Sequence, residues 1–92
     1  MAKVLITAQV ESLEAWEKGF RTHGDLFRSQ TVAKPISFAA NPDKQVAVSF
    51  EPEDLGKFMK VLESPATAEA MAFDGVRKET VKVFVLDKEF RV

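Results

Sequence analysis

His23 is the chain's only histidine, and it falls in a row of rings. Trp16, Phe20, His23 and Phe27 are spaced by four, three and four residues, the spacing of one helix face. An imidazole titrates near neutral pH, so His23 can act as base, acid, ligand or hydrogen-bonding core residue. Acid/base work needs a carboxylate within hydrogen-bond reach of the ring. Asp25 lies two residues on in sequence, and Asp54, Glu69 and Asp74 are candidates only through the fold. The competing reading is a half-buried histidine that ends a helix, with one nitrogen on a backbone carbonyl. The sequence leaves both readings open.

The neighbours of His23 carry similar pairs of readings. Trp16 and Phe20 bury large apolar areas, either as core or as the wall of a pocket. Met59 and Met71 are core gap-fillers whose flexibility also suits an adaptable pocket. Arg21 follows Glu17 at i,i+4 and reads as a solvated ion-pair partner. Arg28 lies near the helix end, where it can hold a ligand carboxylate.

Other chemistries find no support. One histidine and no cysteine do not make a structural zinc site, so no metal is expected. Haem needs a single axial ligand, which His23 alone would have to supply, and no cofactor is expected. The sequence contains no glycine-rich phosphate loop, no G-x-S-x-G and no Ser-His-Asp order. "EPED" lacks calcium-loop spacing and reads as a helix start.

With 92 residues the chain is expected to form one domain over 1–92. A domain of this size has a marginal core, and without cysteine no disulfide can support it. The net charge of −1 is interspersed, so neither nucleic acid nor a membrane surface is an expected partner. The longest apolar run is four residues, far short of a membrane span. The start, "MAKVLITAQV", lacks the apolar core of a signal peptide, and cytoplasm is the default expectation.

The elements that must position His23 read clearly. "KVLITAQV" alternates as a strand with Val4, Ile6 and Val10 on one face. Ser12 then caps a helix carrying Leu13, Trp16 and Phe20. Gly24 is its expected stop, although Leu26 and Phe27 can extend it by a turn. "TVAKPISFAA" and "QVAVSFE" flank the turn "NPDK" as a hairpin, with Pro35 marking an edge or bulge. "PEDLGKFMKVLE" follows as a helix with the stripe Leu55, Phe58, Met59 and Leu62. Ser64-Pro65 opens a short extra helix that "DG" at 74–75 ends. "ETVKVFVLDKEF" is the last strand. The order β-α-β-β-α-β gives an α+β, ferredoxin-like fold: a four-stranded antiparallel sheet with helices on one face. The inner face is expected to hold Val4, Ile6, Val10, Val46, Val48, Phe50, Val81, Val83 and Val85. The other face carries Leu5, Thr7, Gln9, Ala47, Ser49, Phe84 and Leu86, too apolar for plain solvation. It predicts a homodimer through the sheet, which the tail "KEFRV" can reach. The same order builds RNA-binding modules, but "QVAVSFE" lacks their aromatic strand.

The chain resembles the dimeric α+β barrel superfamily, small ferredoxin-like domains that pair through their sheets. Trp16-x3-Phe20-x2-His23 and "NPDKQVAVSFEPEDLGKFMKVLESPATAEAMAFDGV" carry the resemblance, which covers essentially the whole chain. It is similar to small uncharacterised members from environmental and marine bacteria. The superfamily includes cofactor-independent monooxygenases, haem-degrading enzymes, muconolactone-type isomerases and binding proteins. The resemblance implies a ligand cleft between helices and sheet, faced by Trp16, Phe20 and His23 and lined by Met59 and Met71. The chain has no tyrosine, frequent in the oxygenase members, and no polar residue matches the asparagine that cofactor-free oxygenases use. Three functions follow: a binder of a small hydrophobic, acyl- or polyketide-like molecule; a cofactor-free monooxygenase or isomerase with His23 as acid/base; or a structural or regulatory dimer without a ligand.

Overall fold

Alternation in the first strand is what builds the sheet. In β1 (Lys3–Val10) every second side chain, Val4, Ile6, Ala8 and Val10, is buried; Leu5, Thr7 and Gln9 between them are partly exposed, and Lys3 is exposed. The computed structural model describes residues 3–92; Met1 and Ala2 of the expected 1–92 domain lie outside the described residues. The remaining strands are β2 (Ser37–Ala40), β3 (Gln45–Phe50) and β4 (Val76–Leu86). The sheet order is β2-β3-β1-β4, and every neighbouring pair is antiparallel. Among the described residues four helices complete the fold: α1 (Leu13–Phe20), α2 (Gly24–Ser29), α3 (Leu55–Leu62) and α4 (Pro65–Phe73). The ferredoxin-like α+β architecture is therefore as expected, with four strands and helices packed on one sheet face.

Local chemistry sets most boundaries. The Ser12 hydroxyl accepts from the Ala15 N–H at 3.3 Å and starts α1. Asp54, expected inside the helix "PEDLGKFMKVLE", instead caps α3, its Oδ1 accepting from the Lys57 N–H at 3.0 Å. Pro52 accordingly precedes the helix and bridges to Val32. Pro65 takes the first turn of α4, where its missing N–H costs nothing. Gly75 ends that helix with φ +74°, a left-handed conformation that favours glycine.

Four expectations need correction. The last strand, expected over "ETVKVFVLDKEF", starts earlier, at Val76, and ends at Leu86. The first helix does not run through Phe27 or stop at a Gly24 cap. It ends at Phe20, residues 21–23 turn, and Gly24 begins α2. The first hairpin strand is shorter than "TVAKPISFAA". Only Ser37–Ala40 joins the ladder with β3, because Pro35 has no ladder donor; Val32 makes a lone bridge to Pro52. Val83 and Val85 are not core. They pair with the buried Ile6 and Val4, but β4 is an edge strand with a neighbour on one side alone, and both stand exposed.

A bulge in β4 decides which of its side chains reach the core. The register slips between Thr7 and Gln9, and the Gln9 N–H donates instead to Thr80 Oγ1 at 2.8 Å. Val76 and Val81 differ by an odd number of residues, so an unbroken strand would point them to opposite faces. The slip lets both pack against the core. On the far face Leu5 is half-buried while Phe84 and Leu86 stand exposed. Among the described residues no helix is long and apolar enough to cross a membrane.

Phe58 is fully buried and touches the Phe50 ring at a centroid distance of 5.3 Å. Phe58→Ala is expected to cost about 3–5 kcal/mol, a large share of the ~5–15 kcal/mol that holds a domain of this kind together. Urea unfolding followed by Trp16 fluorescence measures it.

Candidate functional site

The two helix pairs do not close fully over the sheet. Between them lies an apolar cavity of about 80 Å³. Its floor is Ile6, Ala8, Val46, Val48, Phe50 and Val81 from the strands. Trp16 and Phe20 of α1 and Leu26 and Phe27 of α2 form one wall, and Leu62, Ala70 and Met71 the other. The rings hold each other: Trp16 stacks on Phe20 at 4.9 Å, Phe20 meets Phe27 at 5.0 Å, and Phe27 meets Phe50 at 5.6 Å.

Four polar side chains join this lining: His23, Gln30, Thr67 and Asp74. The turn between α1 and α2 presents His23. Its backbone N–H donates to the Phe20 carbonyl at 3.2 Å, and its carbonyl accepts from Phe27 at 3.1 Å. His23 stands at the N-cap of α2 yet makes no side-chain cap. Its Nε2 lies 3.1 Å from Asp74 Oδ1, so the expected backbone-carbonyl partner is replaced by a carboxylate. Asp74 is 6% exposed at the C-cap of α4. An ionised Asp74 only accepts, which places the ring proton on Nε2 and leaves the lone pair on Nδ1.

The carboxylate can reach His23 because α1 offers no side chain where it passes. A Cβ on Gly19 would collide with Asp74 Oδ1 and come within 3.0 Å of its Cγ. Burial acts most strongly on Asp74 and pushes its carboxyl above the usual carboxylate value. The hydrogen bond and charge of His23 pull it down without cancelling the rise. Phe73, itself largely exposed, sets its ring edge-on to His23 at a centroid distance of 6.2 Å.

Of the residues predicted for the site, Trp16, Phe20, His23, Phe27 and Met71 meet in the cavity. Met59 and Arg28 do not. Met59 is half-buried on the outer flank of α3, beside Gly56, Lys57, Lys60 and Glu63, while Leu62 of the same stripe reaches the cavity. Arg28 is exposed one turn beyond the break in the helix and pairs with Asp25. Of the four carboxylates named for His23, only Asp74 meets it: Asp25 is on Arg28, Asp54 caps α3 and Glu69 is exposed. Gln30, Thr67 and Gly19 carry no pattern in the sequence. "DG" at 74–75 announces a helix stop and does not reveal that its aspartate turns inward. Among the described residues no three His, Asp or Glu side chains converge on a metal position. Asn41, the chain's single asparagine, lies outside the cavity and accepts from the Asp43 and Gln45 N–H groups in the β2–β3 turn.

No family model and no curated protein matches the chain. Solved structures do. A candidate antibiotic biosynthesis monooxygenase from Bordetella bronchiseptica superposes with a TM-score of 0.72 at 12% identity, covering 97% of each chain. SnoaB, a cofactor-independent oxygenase from Streptomyces nogalater, gives 0.71 at 12% identity, over 99% of this chain and 95% of that one. Rv0793 from Mycobacterium tuberculosis gives 0.62 at 11% identity, over 99% and 98%. At such identities the likeness is one of fold: this chain shares their ferredoxin-like α+β architecture.

Two outcomes test the pair. Gly19→Ala is expected to expel the Asp74 carboxylate, shift the His23 ring signals in NMR and cost about 1–3 kcal/mol by overpacking. For Asp74 the folded state holds the proton more tightly than the unfolded chain, whose value is near 3.8. Its contribution to stability is therefore greatest below that value and is lost as pH rises through the raised folded value. Asp74→Asn removes this slope, so the variant should gain on the wild type as pH rises through that window. Urea midpoints measured across pH give the comparison.

Proposed function

We propose that the protein binds a small hydrophobic molecule in the cavity between helices and sheet. The observation that carries this reading is a packed apolar chamber with a few polar groups at its wall, the usual build of a small-molecule site. The volume, about 80 Å³, is below the roughly 300–1,000 Å³ common for ligand pockets. A compact molecule fits this space, and an acyl chain or fused rings would require Met71 and Leu26 to move. The protein acts as a homodimer, with a second copy over the sheet face. Exposed Phe84 and Leu86, with Leu5 beside them, support that assembly.

The His23–Asp74 pair favours a second reading, a cofactor-free monooxygenase or isomerase. In it Nδ1 of His23 takes a proton from the bound molecule and Asp74 stabilises the imidazolium that results. SnoaB, similar in fold, is a cofactor-independent oxygenase.

Native mass spectrometry with organic extraction of the purified protein tests the binding reading. The expected result is a co-purified apolar molecule at one per protomer, on a species of two chains. A clean single chain that takes up nothing from a panel of small apolar compounds sinks it. For the enzyme reading, turnover on a quinol or lactone panel should fall about 10²–10⁴-fold in His23→Ala. Turnover that survives the substitution removes His23 as the base.

A further inference from the structure

Gln30 is the polar group in the cavity wall whose chemistry is incomplete. It is 2% exposed, and its Oε1 has no hydrogen-bond partner. The orientation of the amide follows from its neighbour. Thr67 Oγ1 donates its one proton to the Val61 carbonyl at 2.6 Å, so toward Gln30 it can only accept. Gln30 Nε2 therefore faces Thr67, at 3.4 Å, and Oε1 is left over. Turning the amide over would set two acceptors against each other.

The backbone holds the residue in place. Gln30 ends α2, its N–H shared by the Leu26 and Phe27 carbonyls at 3.1 Å each. Thr31 follows with φ +64°, an uncommon conformation for a β-branched residue. Asp54 and Glu53 clamp it there. The Thr31 hydroxyl accepts from the Asp54 N–H at 3.0 Å, and its carbonyl accepts from the Glu53 N–H at 3.0 Å. Strain of this kind persists where the surroundings over-determine it. The side chain therefore leaves from a fixed backbone position, and at 2% exposure it is closed off from bulk water.

An unsatisfied acceptor buried beside an apolar chamber is costly, and the cost disappears when a donor arrives. We propose that Gln30 Oε1 is the recognition point of the cavity and selects a compact apolar molecule bearing one hydroxyl or N–H donor. The inference rests on the cavity being a ligand site. Size limits the class further. A cavity of roughly 150 Å³ accommodates benzene, and this one measures about 80 Å³. One ring enters if Met71, with its flexible thioether arm, yields; a larger skeleton does not. A single-ring phenol meets both demands. The ligand's apolar body lies against Phe27 and Leu62, and its O–H points to Gln30.

The test uses three probes of equal heavy-atom count: phenol, toluene and fluorobenzene. Only phenol donates a hydrogen bond. Titrations of the full chain are followed by backbone amide shifts, with the Gln30 side-chain carbonyl carbon as a direct reporter. Phenol is expected to bind at least about tenfold more tightly than either other probe and alone to move the Gln30 carbonyl signal. In Gln30→Met, similar in shape but without the acceptor, the preference should shrink to within about twofold. Equal binding of the three probes to the wild type overturns the role of Gln30 and leaves the cavity as a ligand site. A preference for phenol that persists in a folded Gln30→Met also overturns it. Binding of none of them overturns the ligand site itself. If Gln30→Met does not fold, phenol against fluorobenzene on the wild type still decides.

Discussion

The fold depends on a continuous contact of aromatic rings. Trp16, Phe20, Phe27, Phe50 and Phe58 touch in sequence, which ties α1, α2, β3 and α3 into one core. Phe38 closes the near end against both Trp16 and Phe20. A domain of this size without disulfides has little apolar surface to bury, so a few large side chains carry much of it. The break after Phe20 serves this arrangement. It turns the chain so that Phe27 comes back beside Phe20 and faces the sheet, and the same turn brings His23 inward. The polar site is thus a by-product of how the rings are stacked.

That origin explains the electrostatics. Apolar walls strengthen any interaction between charges inside and make unpaired ones costly. His23 and Asp74 meet each other at the cavity edge, where the imidazole remains partly exposed and the carboxylate is buried. The carboxylate prefers its proton more than it would in water because it has left water behind, with His23 as its compensation. The pair is held by shape as much as by charge. It needs the bare backbone of Gly19 and the inward turn of Asp74 at the end of α4.

Much of the fold was legible in the sequence, because strand and helix periods are properties of single segments. The alternation in β1 and β3, the Ser12 cap and the Ser64-Pro65 start all depend on neighbours in the chain. The errors arose where one segment answers to another. Val83 and Val85 alternate like core residues, and only their place at the sheet edge exposes them. Met59 shares a helical stripe with Leu62, yet the cavity ends between them. For the site, spacing alone grouped Trp16, Phe20, His23 and Phe27. Asp74 lies fifty-one residues from His23, and its choice over Asp25, Asp54 and Glu69 is a matter of tertiary packing. Gln30 sits in "RSQTV", a polar stretch with no period, so nothing local marks it as buried.

The central strand has a consequence for how the molecule forms. β1 lies between β3 and β4, and Val4 pairs with Val85, eighty-one residues later. The pairing that completes the sheet joins distant parts of the chain. Loop-closure entropy rises only slowly with such a distance, but the search for long-range partners slows folding. The same strand pair then acts as a clasp: a cut in a surface loop such as the β2–β3 turn leaves both fragments hydrogen-bonded through β1.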